Sequence, residues 1–193
     1  MEQRPHLVSS VAAIRALFGA AAASCALVND RGDRLVFVAA DGAGADRILG
    51  VELPIGRGIA GWAVMADQAI AVRDVVRDNR FARDVAEATE YVPNVVLAAP
   101  IPLPDGEVGG VLEVLDPATD ITSGWPLAVL GTYATVVGLL LAADGARADD
   151  PGDAEARRLE EAVATLARRG TDGARLATQV LSAVTDYLDE GGR

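Results

Sequence analysis

The 193-residue chain is 51% hydrophobic but only 4% aromatic, and its 17 basic residues are all Arg, against 28 acidic ones, for a net charge of −11. That charge argues against a nucleic-acid backbone as partner, and the absence of Lys removes Schiff-base chemistry and the lysine of a phosphate-binding loop. One Cys and one His leave no disulfide framework, zinc site or Ser–His triad, while the Ala, Val, Leu and Ile content suffices for one core with an appendage.

Leu7, Val11, Ile14 and Phe18 recur at helical spacing and predict an amphipathic first helix. Arg4 before an apolar run, and Ala22-Ala23-Ser24-Cys25, imitate an export signal, but Arg15 interrupts the run and Glu2 weakens its positive flank. Residues 21–28 form an apolar strand closed by the turn Asn29-Asp30-Arg31-Gly32-Asp33. The return strand, 34–40, sets Leu35, Phe37 and Ala39 on one face and Val36 and Val38 on the other. A Gly-rich loop over 41–46 precedes a short strand through Ile48, Val51 and Leu53, which Pro54 stops.

Gly56-Arg57-Gly58-Ile59-Ala60-Gly61 satisfies the glycine spacing of a dinucleotide site, with Asp78 about twenty residues on. The helix it opens ends near Ala66, however, which is too short for a typical parallel crossover. A strand over 69–72 follows, then a polar stretch where Arg73, Arg77, Arg80 and Arg83 interleave with Asp74, Asp78 and Asp84. That stretch is either an anion site or a set of solvated ion pairs. A short helical pattern, 82–89, leads to the strands 95–103 and 108–115 around the turn Pro104-Asp105-Gly106-Glu107, with Glu113 set in an apolar strand.

Residues 121–143 carry no charge and are long enough to cross a bilayer, but acidic Asp116, Asp120 and Asp144 flank them. A buried soluble helix is expected, with Gly131, Ala134, Gly138 and Ala142 forming a stripe that a second helix could approach. The domain is expected to span 1–144, with a linker over 145–152 and a helical hairpin appendage over 153–190, striped by Leu159, Val163 and Leu166 and by Leu176, Val180, Val184 and Leu188. The fold class is α+β with one mostly antiparallel sheet.

Several landmarks come in a fixed order: Gly58-Ile59-Ala60-Gly61, the strand leading to Asp74, Asp78-Asn79-Arg80-Phe81, the strand ending Ala99-Pro100-Ile101, and the hairpin from Gly106 to Val114. Together they resemble the GAF domain family of sensor modules over residues 5–143. The resemblance implies a central antiparallel sheet with the first and last helices on one face and a lidded ligand pocket on the other. It implies that Ile59 and Ala60 lie against a bound ring, that Phe81 anchors the lid, that Thr89 offers a hydroxyl, that Glu113 reaches in from its strand, and that Asp41 follows the second strand. Trp62, beside the glycine-rich turn, is a further stacking candidate. In cyclic-nucleotide-binding members an acidic residue and a second Thr contact the ligand, and the corresponding positions here are Ala86 and Pro93. Haem-binding members need an axial His, but His6 precedes the fold proper; bilin-binding members need a placed Cys, and Cys25 sits in the first strand. The free methionine sulfoxide reductases of this fold use more than one Cys.

The expected function is a non-enzymatic, cytoplasmic sensor or regulatory module that binds a small molecule or a signalling protein and signals through its terminal helices. No cofactor, catalytic residue, metal, nucleic acid or membrane is implied. A ligand-free dimerisation scaffold is the alternative, with a redox or nucleotide-dependent enzyme after it. A homodimer is expected because the stripes of the first helix and of Leu130, Val137 and Leu141 look too extensive for one sheet face.

Overall fold

The computed structural model of the chain describes residues 5–146. The elements run α1 (Pro5–Phe18), β1 (Ala22–Val28), β2 (Arg34–Gly42), α2 (Ala45–Ile48), β3 (Glu52–Pro54), α3 (Gly58–Ala66), β4 (Ile70–Arg73), a single 3-10 turn (Val75–Arg77), α4 (Arg83–Ala88), β5 (Val95–Pro102), β6 (Val108–Leu115) and α5 (Trp125–Ala146). One six-stranded sheet has the order β3-β2-β1-β6-β5-β4, and every neighbouring pair is antiparallel. This is the expected α+β class, and it leaves no parallel crossover for a dinucleotide fold. The glycine motif instead opens α3, where Gly58 adopts φ +71°, a conformation that side chains rarely take. β4 pairs β5 only as far as Ala98, so Pro100 and Pro102 lie where no ladder bond to β4 is lost.

Both faces of the sheet are apolar, because strands covered on each side need continuous rather than alternating hydrophobic sequence. On one face Leu7, Val11, Ile14 and Phe18 of α1 and Leu130, Tyr133 and Val137 of α5 pack on Leu97, Leu112 and Val114. On the other, Ile59, Ala60 and Ala63 of α3 meet Leu35, Phe37, Val72, Val96 and Val111.

The helix stripes expected to require a second copy are covered within one chain. Leu7, Val11, Ile14, Phe18, Leu130 and Val137 are all at most 1% exposed, with Leu141 partly buried. Six strands at a spacing of about 4.8 Å make a sheet roughly 24 Å wide. Two helices about 10 Å apart fit on it side by side. The Tyr133 hydroxyl, pushed up to about 12 by burial, ties them by donating to the Ser10 carbonyl at 3.2 Å.

Ala134 and Gly138 of the small-residue stripe serve the same contact, whereas Gly131 faces open space. Ala134 is fully buried, and a Cβ at Gly138 would lie 2.0 Å from the Pro102 carbonyl oxygen, so the glycine lets α5 approach β5 rather than another helix. By length and composition Trp125–Ala143 is apolar enough to cross a membrane, yet half of it is buried against this fold. α5 continues to Ala146, into the stretch expected as linker; the rest of 145–152 and the hairpin 153–190 lie outside the described residues.

One register shift changes which side chains face which core. Cys25 pairs Ala39, but Ala26 pairs Phe37, so β2 carries an extra residue at Val38. A bulge of this kind reverses the alternation beyond it. Leu35 and Phe37 therefore join the α3 side, whereas Ala39 joins the α1 side instead of sharing their face.

Candidate functional site

On the α3 side the sheet is not fully covered. A partly open pocket of about 100 Å³ lies between the centre of the sheet and the short helices. Ser24, Phe37, Ala40, Val96 and Glu113 form its floor, with Ile48, Ile59 and Ala60 at the sides and Phe81, Val85, Ala86 and Thr89 above. The lining is predominantly apolar with a few polar groups, the pattern of a small-molecule site. Its size limits the occupant, since an apolar cavity of about 150 Å³ takes a benzene ring.

Among the described residues Glu113 supplies the only carboxylate of that lining. It sits at the centre of the sheet, opposite Ser24 on β1 and Ala98 on β5. The Ser24 hydroxyl donates to Glu113 Oε2 at 3.2 Å, and Oε1 accepts no hydrogen bond from the described residues. Glu113 is partly buried and borders the pocket. Burial pushes its carboxyl up to about 7, a shift that the Ser24 hydrogen bond opposes. Among the described residues no Arg side chain lines the pocket.

Of the seven residues singled out in the sequence, the structure brings Ile59, Ala60, Phe81, Thr89 and Glu113 to the pocket. Thr89 is the C-cap of α4, and its hydroxyl donates to the Ala86 carbonyl at 2.9 Å, so its proton is already engaged. Ala86 and Pro93 also line the pocket, where they present carbon rather than the polar groups of cyclic-nucleotide sites.

Asp41 and Trp62 are not brought there. Beyond the bulge, Ala40 takes the pocket face and Asp41 faces α1, where it pairs with Arg15. Within α3 the buried stripe is Ile59, Ala60, Ala63 and Val64, and Trp62 falls on its flank beneath the Arg80 guanidinium, 4.6 Å from the ring centroid. Asp78 holds Arg80 in place through bonds of 2.9 and 2.7 Å, and Arg80 in turn lowers the Asp78 carboxyl below its ordinary value. The Arg/Asp stretch thus resolves, in this part, into an ion pair outside the pocket.

Two lining residues carry weak sequence signals. Ser24 is a lone hydroxyl in an apolar strand, and its role emerges only from its register with Glu113. Tyr91 lines the pocket below α4, and its hydroxyl donates to Asp116. Burial, and then that hydrogen bond, raise the phenol well above its ordinary value. Asp116 also accepts the backbone N–H groups of Asn94 and Val95, at 2.9 and 2.8 Å, which fixes the end of the lid segment. At the rim, Arg57 pairs with Asp84 at 2.6 Å and Arg47 pairs with Glu90, joining α4 and its C-terminal flank to the opening of α3 and to α2.

This arrangement, a central antiparallel sheet with terminal helices on one face and a lidded pocket on the other, is the GAF domain fold. The GAF domain of a Coxiella burnetii phosphoenolpyruvate-protein phosphotransferase superposes with a TM-score of 0.65 at 21% identity, over 74% of this chain and 83% of that one. The GAF domain of the Acinetobacter phosphoenolpyruvate-protein phosphotransferase gives 0.62 at 19% identity, over 75% and 84%. A free methionine-R-sulfoxide reductase from Neisseria meningitidis, in complex with its substrate, gives 0.55 at 23% identity, over 71% and 77%. In sequence, 66 residues are 30% identical to a dual 3',5'-cyclic-AMP and -GMP phosphodiesterase 11A of Takifugu rubripes, a match spanning 34% of this chain and 7% of that enzyme. No family profile matches the chain.

Proposed function

We propose that the chain is a sensor or regulatory module that binds a small molecule in the pocket beneath α4. The observation that carries this reading is the desolvated Glu113 carboxyl at the floor of an apolar pocket, with Oε2 accepting from Ser24 and Oε1 turned to the pocket without a donor among the described residues. An unliganded scaffold would gain stability from an apolar residue there, since burying a carboxyl without full hydrogen bonding is costly. The signal leaves through the sheet. Leu112 and Val114, which flank Glu113 on β6, pack on the α1 and α5 side, so a change at the pocket floor reaches the terminal helices. Those helices pass it to a second copy or another protein, in a soluble, cytoplasmic setting where α5 serves as a core helix.

A reductase reading has one specific obstacle. Cys25, the chain's one cysteine, packs with the α1-side core, on the opposite face of β1 from the pocket, so its thiol cannot reach a substrate held there. A two-dimensional NMR screen with amino acids, small amines, nucleobases and cyclic nucleotides tests the proposal. The expected hit shifts the signals of Ala40, Ala86 and Glu113 together. If every compound that binds perturbs only surface residues, the pocket is not the site.

A further inference from the structure

The pocket's polar chemistry is lopsided. Among the described residues its lining holds one carboxylate, two aliphatic hydroxyls, one phenol and no cationic side chain. Both hydroxyl protons are engaged, Ser24 donating to Glu113 and Thr89 to Ala86, and the Tyr91 proton goes to Asp116. What the floor offers a ligand is therefore an acceptor, Glu113 Oε1, within walls of Phe37, Ile59, Phe81 and Val85.

We infer that the ligand is a small organic ammonium compound, with a compact branched or cyclic carbon body and one N–H-donating cationic head that docks on Glu113. This rests on the reading of the pocket as a ligand site. A cationic head supplies the donor that the protein does not give Oε1, and charge-assisted bonds of this kind are the strong ones. An anionic ligand such as a phosphate or carboxylate meets a buried acid and finds no arginine to offset it, so its charge is left unpaired. The part of the body that is enclosed must be small, since a pocket of about 100 Å³ cannot enclose a nucleotide unless α4 moves.

Three near-isosteric probes separate the possibilities: isobutylamine, isobutanol and isobutyrate, titrated against the whole chain and followed by NMR at the pocket signals. The expected result is amine over alcohol by at least about tenfold, with isobutyrate weakest. Glu113 and Tyr91 are the titratable groups facing the pocket, and only Glu113 changes charge near neutrality. Amine affinity should therefore rise from about pH 6 to about pH 8 while alcohol affinity stays level. Glu113→Gln should bring the amine-to-alcohol ratio near one and remove the pH dependence. If the probes bind with no amine preference, or the preference survives in Glu113→Gln, the ammonium assignment is overturned while the pocket stands. If none of the three reaches the pocket signals, the pocket reading falls and the assignment with it.

Discussion

Replacing Glu113 by Gln should stabilise the protein in alkaline solution and leave it nearly unchanged in acid. In the unfolded chain this glutamate titrates near 4.5, and in the fold burial moves it to about 7, so the folded state holds the proton more tightly. The stabilisation that neutral Glu113 gives is complete below 4.5 and is lost as the pH rises through 7. At 1.36 kcal/mol for each unit separating the two values, the loss has a ceiling of about 3 kcal/mol at alkaline pH. Gln keeps the shape and an oxygen to accept from Ser24 but never ionises. Urea denaturation of both proteins at about pH 5 and about pH 8 reads the effect as a change in their stability difference, which cancels every other titrating group. The variant should gain roughly 2–3 kcal/mol on the wild type between the two conditions. An identical difference at both would mean that water entering the pocket solvates the carboxylate, and the argument from burial would fail.

Two glycines on α5 should respond oppositely to Ala: Gly138→Ala forces a Cβ against the Pro102 carbonyl oxygen and should cost about 1–3 kcal/mol in urea denaturation, whereas Gly131→Ala points into open space and should gain about 0.5–1 kcal/mol. Asp116→Ala leaves the Tyr91 hydroxyl and two backbone N–H groups without their acceptor; it should cost about 2 kcal/mol and speed amide exchange at Asn94 and Val95. Removing the rim pairs with Arg47→Ala and Arg57→Ala should leave the melting temperature nearly unchanged but raise amide exchange through α4, and high salt should mimic this in the wild type.

The elements were readable because each carries its own period or punctuation: the α1 stripe, the turn before β2, the β5–β6 hairpin turn. Five of the seven candidates, all five singled out by the family resemblance, came to line the pocket. Asp41 did not, because its face depends on one extra residue at Val38, and bulges leave no composition signal in so uniform an apolar strand. Trp62 did not, because a nine-residue helix with apolar residues all round does not declare which face it buries. Ser24 and Glu113 are 89 residues apart, and only the pairing of β1 with β6 makes them partners. The covering of α1 and α5 was misjudged for a geometric reason: helix periodicity reports the width of a stripe but not the width of the sheet beneath it.

The claim on which the account depends is that a ligand binds on Glu113 in the pocket beneath α4. Hydrogen exchange along residues 81–91, with and without saturating isobutylamine or isobutanol, tests it most directly. Bound ligand should slow exchange in α4 and at Thr89, and leave the distant turn at Asn29–Asp33 unaffected. Unchanged exchange in α4 at full saturation, or protection confined to the turn and other surface segments, would contradict it.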